Sequence, residues 1–349
     1  MDMRILKTIT LLLFTTTLFN CNTDENPQAL SNAEQLTGSW ELTSGNFQGN
    51  ETKFIAFDGN QIQLLFQDEL GFKGRFEYDA ITNVTETEFT YNIQGAIVYS
   101  YTINNNTLTV SESIFNTSAV FRRNSNAPTY ENWVAPLTKE EEVNTPWVNA
   151  TDIEFVNFDG TPLIIGYDSS SGFLASFNLS SLTNSGGVMI NRQASALAYD
   201  LDGDLFIHSN ANDGLLYSTK TDGVEIGSTD LGIDTSINYL SYHNDNIWIA
   251  SSHAKTIYFD NNNDAIIEEE YVLGKAPYGI EYKQGFLYVS TRDYLHKCQV
   301  NGNQLQAVET YAIENAGSIY GITSDGENLW INTQKTNEDD KLIKTNITF

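Results

Sequence analysis

Positive charge is scarce in this 349-residue chain, with 18 Lys plus Arg set against 45 Asp plus Glu and a formal net charge of -27. A surface of that sign repels phosphate backbones and excludes nucleic acid as a partner class. Cysteine is scarcer still: Cys21 and Cys298 are the only two, so no disulfide framework can staple the fold and stability must come from packing. No nucleophile elbow, phosphate-binding loop or dinucleotide fingerprint occurs anywhere, and no catalytic constellation stands out. Aromatic residues are plentiful at 12%, more than a disordered acidic chain carries, so the acidity coats a folded object. At roughly 100 to 200 residues per domain, the length allows two domains with substantial cores.

The first twenty residues have the three-part plan of an export signal. Arg4 and Lys7 are followed by the apolar stretch Ile9 to Phe19, which is too short to span a bilayer, and then by Cys21. The segment Leu18-Phe19-Asn20-Cys21 resembles the lipobox of Gram-negative lipoproteins, although Phe19 and Asn20 depart from the small residues preferred before the cysteine. That resemblance implies a signal peptide over 1–20, a lipid on Cys21 and an acidic tether over 21–32. Asp24 and Glu25 look like the acidic tags that send some lipoproteins to the outer leaflet, so the expected location is the cell outer membrane, lipid-anchored and periplasmic or surface-exposed. Cys298 is then the one remaining thiol, and its alternating surroundings mark it as a small buried hydrophobe.

Residues 33–123 alternate apolar and polar side chains at period two, as in Phe54 to Phe57, Phe89 to Tyr91 and Val98 to Ile103. Asp58-Gly59-Asn60 and Asn104-Asn105-Asn106 supply hairpin turns, and helical periodicity is nowhere sustained in this segment. The reading is a small antiparallel barrel or a strongly curled sheet. Its first strand carries Gly38-Ser39-Trp40 and its last Phe121-Arg122-Arg123, and with these residues the segment resembles the lipocalin-like domains of bacterial lipoproteins. The resemblance implies that Trp40 closes the barrel floor under Arg122 or Arg123, a cation over an indole face.

Residues 124–148 mix Pro128, Pro136 and Pro146 with the acidic run Glu140-Glu141-Glu142, the composition of a linker that could lend an edge strand. On this reading the two domains fold separately. From 149 to 349 the chain repeats: Leu163, Leu205, Ile247, Leu287 and Leu329 are spaced by 42, 42, 40 and 42 residues. Each copy holds a strand, a turn such as Asp159-Gly160 or Gln284-Gly285, and further strands. The last copy ends one strand short, so a segment within Trp133 to Trp147 is expected to complete it. Segments such as Ala276 to Thr291 and Asp325 to Thr333 resemble the repeats of NHL, YVTN and regucalcin-type propellers. The fold class is therefore all-β, a lipocalin-like barrel followed by a β-propeller. Five blades are countable, with a sixth assembled from the linker as the alternative.

No metal or cofactor is called for. Asp200, Asp202 and Asp204 alternate as calcium-loop ligands do, but Leu205 and Ala211 stand where such a loop needs Gly and Glu; Asp260, Asn262 and Asp264 fail the same test at Ala265 and Tyr271. His208, His243, His253 and His296 share no short ligand spacing and read as surface or packing residues. The expected ligand surface is the propeller face formed by loops leading into the inner strands, with Trp147, Arg192, Asn238, Tyr278 and Tyr320, and by loops joining second to third strands, with His253, Arg292 and Lys335. Three function classes follow: a lipoprotein binding a small molecule, glycan or envelope protein through its propeller, with the barrel as an alternative site; a hydrolase or lyase acting on extracellular glycan through inner-strand acids such as Asp152, Asp200 and Glu281; and a structural envelope-assembly protein.

Overall fold

The computed structural model describes residues 31–47, 51–78, 81–92, 96–112, 116–210, 213–233 and 236–349. The signal segment, Cys21 and most of the tether lie outside them. The described chain opens on one short helix, α1 (Asn32–Leu36), whose N-cap Ser31 exchanges hydrogen bonds with Glu34 in a capping box. Nine strands follow: β1 (Gly38–Gly45), β2 (Thr52–Asp58), β3 (Gln61–Gln67), β4 (Lys73–Tyr78), β5 (Ile81–Thr82), β6 (Glu88–Asn92), β7 (Ala96–Asn104), β8 (Thr107–Glu112) and β9 (Thr117–Arg123).

They form one antiparallel sheet in the order β4-β3-β2-β1-β9-β8-β7-β6-β5. Of the two forms expected from the alternation, this is the curled sheet, a half-barrel with β4 and β5 at its edges. Ile55, Phe57, Phe89, Tyr99, Leu108 and Phe121 fill its concave side. First and last strands pair at its centre, with Trp40 opposite Arg123. The Arg123 guanidinium lies 4.2 Å from the centroid of the buried Trp40 ring. Trp40 donates its indole N–H to the Leu36 carbonyl at 2.9 Å, and Arg123 donates to the carbonyls of Thr37 and Gln35. Gly38 makes room for this, because at φ +117° a Cβ would meet the guanidinium at 2.9 Å. Arg122 instead points outward beside Glu41, at 3.8 Å.

Two linker strands, β10 (Ala135–Pro136) and β11 (Lys139–Asn144), lead into the repeats. Blade one is β12 (Ile153–Phe158), β13 (Thr161–Asp168), β14 (Phe173–Asn178) and β15 (Thr183–Met189). Blade two is β16 (Ala196–Asp200), β17 (Leu205–Ser209), β18 (Leu215–Lys220) and β19 (Glu225–Asp230). Blade three is β20 (Tyr239–His243), β21 (Asn246–Ser251), β22 (Thr256–Asp260) and β23 (Ile267–Val272). Blade four is β24 (Ile280–Lys283), β25 (Phe286–Ser290), β26 (Tyr294–Asn301) and β27 (Gln304–Ala312), with β10 added in parallel outside β27. Blade five has only β28 (Ser318–Ser324), β29 (Asn328–Gln334) and β30 (Lys341–Thr348) from its own repeat, and β11 pairs antiparallel with β30 as its fourth strand. The propeller has five blades. The linker joins the outer edges of the last two blades and so ties the ring shut. Tight turns between first and second strands place Asp159-Gly160, Asn244-Asp245 and Gln284-Gly285 at positive φ, the conformation a two-residue hairpin needs.

The half-barrel and propeller share a packed seam, which argues against separately folding units. The loop after β3 inserts Phe72 into the core of blade four, where it is fully buried and stacks on His296 with ring centroids 4.3 Å apart. Leu70 accepts from the Ala307 amide at 2.8 Å, Trp133 donates its indole N–H to Phe66 at 3.1 Å, and the Tyr294 hydroxyl donates to the Arg75 carbonyl at 2.6 Å. A cut near residue 124 would strip these partners from blade four. Phe72→Ala is therefore expected to cost about 3 to 5 kcal/mol of stability, read as a lower denaturant midpoint for a single shared transition. A loss below about 1 kcal/mol would mean that the seam does not support the propeller.

Candidate functional site

Every inner strand of a propeller is hydrogen-bonded to its blade on one side only, leaving the other row of backbone groups facing the central channel. Here side chains from other blades take up those amides. Asp152, just ahead of β12, accepts from the amides of Leu197 in β16 and Leu240 in β20, both at 3.0 Å, and from its neighbour Ile153 at 3.1 Å. One carboxyl thus joins three blades. The next layer follows the same rule: Thr323 accepts from the Phe155 amide at 2.9 Å, Glu154 from the Tyr199 amide, and Ser241 from the Tyr282 amide at 2.9 Å.

That layer is one column of the repeat. Glu154, Ala198, Ser241, Glu281 and Thr323 occupy the same register of the five inner strands, opposite Ile165, Ile207, Trp248, Tyr288 and Trp330 of the second strands. Two of its five members are glutamates. The Ser241 hydroxyl donates to Glu281 at 3.2 Å. Burial pushes the Glu281 carboxyl up to about 8, partly opposed by Lys283 and the Ser241 bond. Burial raises Glu154 well above the usual carboxylate range, and the charges of Glu281 and Asp152 raise it further. Asp152 is raised mainly by burial as well, with its three amide bonds pulling the other way.

Below this layer, where the inner strands end, the channel widens into a cavity of about 300 Å³. Glu154 and Glu281 form its floor, and Phe155, Tyr199, Tyr242 and Tyr282 contribute aromatic walls. Asp200, Asp202, His243 and Lys283 line the mouth. Two tyrosines are held by acids of their own turns: Tyr199 donates to Asp204 at 2.5 Å and Tyr242 to Asp245 at 2.9 Å. Asp200 itself caps the amides of Asp202 and Gly203 in a turn. Burial, with Lys283 adding to it, lowers His243 below its ordinary value. Such a cavity offers one buried and one half-buried carboxyl, both with raised affinity for protons, against rings and apolar edges.

The face expected to bind lies at the other end of the channel. There Tyr278 sits edge-on to Tyr320 at 5.4 Å and tilted to Tyr239 at 6.5 Å, so the tyrosines close that end above Asp152. Trp147 is a core residue, fully buried with its indole N–H on Asn332 at 3.2 Å. Arg192 pairs with Glu225 at 3.0 Å and covers the Tyr217 ring. Asn238 accepts from the Ser252 amide and hydroxyl, Arg292 donates to Ser318 at 3.0 Å, Lys335 lies 3.8 Å from Glu338, and His253 is exposed. Of the inner-strand acids singled out by sequence, Asp200 and Glu281 reach the cavity, whereas Asp152 is occupied by amides. Glu154, Tyr242 and Lys283 were missed. The signal for Glu154 was present, since aligning Ile153-Glu154-Phe155 with Ile280-Glu281-Tyr282 puts both glutamates in one column.

Elsewhere, carboxylates of Asp260, Asp264 and Glu268 come within 4.8 Å of one another, but Asp260 is stapled by the amides of Asp264 and Ala265 as a turn cap. His208 and His296 are buried packing residues beside Thr219 and Thr310, and burial lowers them to about 4 and about 3. Cys298 is fully buried, and burial raises its thiol well above the ordinary value.

No protein-family model and no curated protein matches this chain. Among solved structures it is similar to the glutaminyl cyclase of Myxococcus xanthus, with a TM-score of 0.48 and 13% identity over 61% of this chain and 96% of that one. The WD40 β-propeller domain of Doa1 gives 0.38 and 9% over 89% and 96%, and the Pan2 WD40 domain of Neurospora crassa 0.39 and 13% over 59% and 66%. The five-blade architecture rests on the sheet order itself.

The raised carboxyls have a measurable consequence. Folded Glu281 keeps its proton up to about pH 8, whereas an unfolded glutamate releases it near the ordinary 4.5. Between those values the unfolded chain binds fewer protons, so this group's stabilisation, complete at low pH, is lost as pH rises towards 8. The melting temperature is expected to fall across that window, and Glu281→Gln to flatten the fall. An equally steep fall in the variant would show that Glu281 does not titrate there.

Proposed function

We propose that this chain is a lipid-anchored envelope protein whose propeller binds a small polar ligand at the channel mouth. The observation that carries the reading is the glutamate pair: two acids of one repeat column, Glu281 buried and Glu154 half-buried, meet a cavity of about 300 Å³ with aromatic walls. Small-molecule sites are concave, largely apolar, and supplied with a few convergent polar groups of perturbed acidity. Anchoring through Cys21 to the outer membrane is supported by the charged start, the apolar run and the cysteine that ends it. The half-barrel, with Arg123 over Trp40, is proposed as a lipocalin-like support for the propeller. The opposite face, around Tyr278, Tyr320 and Arg292, is the place for an envelope protein partner. One observation favours a second reading, hydrolysis or lysis of glycan: a carboxyl still protonated near neutral pH can act as a general acid.

Two measurements test the proposal. Cys21→Ala should abolish fatty-acid labelling and release the protein from membranes; labelling that persists contradicts the anchor. The released form, incubated with native envelope extract and desalted, should retain low-mass compounds that a Glu154→Gln, Glu281→Gln double variant does not. Compounds recovered unchanged support binding, and chemically altered ones support the enzyme. Equal retention by both forms places the site elsewhere.

A further inference from the structure

The floor of the channel-mouth cavity carries two glutamates whose charge, once ionised, no ion pair among the described residues matches. Glu281 is only 8% exposed, and its one hydrogen bond among the described residues comes from Ser241, which leaves its second carboxylate oxygen without a partner. Glu154 has the Tyr199 amide alone. Lys283, the basic side chain at the mouth, forms an ion pair with neither; the pairs among the described residues all lie elsewhere. Two carboxyls with Lys283 as a nearby charge but no ion-pair partner are less stable there than apolar residues of the same volume. Blades two, three and five put Ala198, Ser241 and Thr323 in the equivalent place.

The walls indicate what would match that charge. Phe155, Tyr199, Tyr242 and Tyr282 surround the carboxyls, and aromatic rings attract ammonium groups, most strongly where water is excluded. An anionic ligand would meet the charges of Asp200 and Asp202 at the mouth. A bare divalent ion needs several converging oxygens, and the third acid, Asp152, has its oxygens taken by amides.

We propose that the cavity takes an organic cation, a primary or quaternary ammonium group seated between Glu154 and Glu281 within the aromatic walls. This rests on the channel mouth being the binding site. Binding is coupled to protons, because the cation must meet ionised carboxylates and displaces the protons they hold. The groups facing them are Asp152 beside β12, Lys283 on β24, Tyr199 and Asp200 on β16, and Tyr242 and His243 on β20; β28 contributes the neutral Thr323 and Ser324. With Glu281 raised to about 8, affinity should climb as pH passes through that value.

Titration calorimetry with choline, its neutral carbon isostere dimethylbutanol and the anion dimethylbutyrate tests this on the full chain. Choline should bind, about tenfold more tightly near pH 8.5 than near pH 6.5, with protons released, and dimethylbutanol and dimethylbutyrate should not. Glu281→Gln should weaken choline about tenfold and remove the pH dependence, its melting curve confirming the fold. Equal binding of dimethylbutanol, binding of dimethylbutyrate, displacement of choline by calcium, or no choline binding at millimolar concentration overturns the inference. If choline fails while envelope compounds are still retained through Glu154 and Glu281, the channel mouth stands as the site and only the cation class falls.

Discussion

The inner edge of each blade is the constraint on which this molecule depends. Five first strands turn a row of amides towards a channel, and a buried amide without a partner costs about as much as a lost hydrogen bond, roughly 1 to 3 kcal/mol. The chain meets this by placing acceptors on other blades of the ring. Asp152 takes amides from β16 and β20, Thr323 reaches from β28 to Phe155, and Ser241 from β20 to Tyr282. These bonds cross blades, so they hold the ring together as well as satisfying its edges. Close approach matters too: Gly321, at φ +73°, lets its backbone come against Ile153, where a Cβ would lie 2.9 Å from the amide nitrogen.

The same solution creates the chemistry of the channel. A column that must supply acceptors is a natural place for carboxylates, and burial there raises their affinity for protons. Asp152 is fully engaged by amides and serves the ring. Glu154 and Glu281 are only partly engaged, and they border open space. The outer edges are managed differently, by the linker strands β10 and β11 on blades four and five. The half-barrel is fastened to this closure through Phe72 and Trp133, which makes the N-terminal part a buttress of blade four.

Most of the architecture was legible because repeats announce themselves. The spacing from Leu163 to Leu329 marks second strands, and Asp159-Gly160 or Gln284-Gly285 marks the turns before them. The missing last strand pointed to the linker, where β11 lies. The half-barrel was visible as period-two alternation, and Trp40 with an arginine of the last strand as its centre. What sequence did not show was anything set by contacts between segments remote in the chain. Phe72 reads as an ordinary loop aromatic until His296 is found beneath it. The contacts within the two propeller faces were hidden for a related reason: Tyr278, Tyr320 and Arg192 drew notice to one end, where rings and ion pairs are now seen to meet each other. Glu154 drew none, since an acid in a strand of an acidic protein is unremarkable until its register with Glu281 is known.

The account turns on Asp152 as the acceptor that joins three blades. Hydrogen exchange of the Leu197 and Leu240 amides in Asp152→Ala tests it most directly. These residues belong to different blades and share only that carboxyl. Both amides should exchange faster by about tenfold or more, while amides between second and third strands, such as Ile165, keep their protection. Unchanged protection at Leu197 and Leu240 in the folded variant would contradict the account.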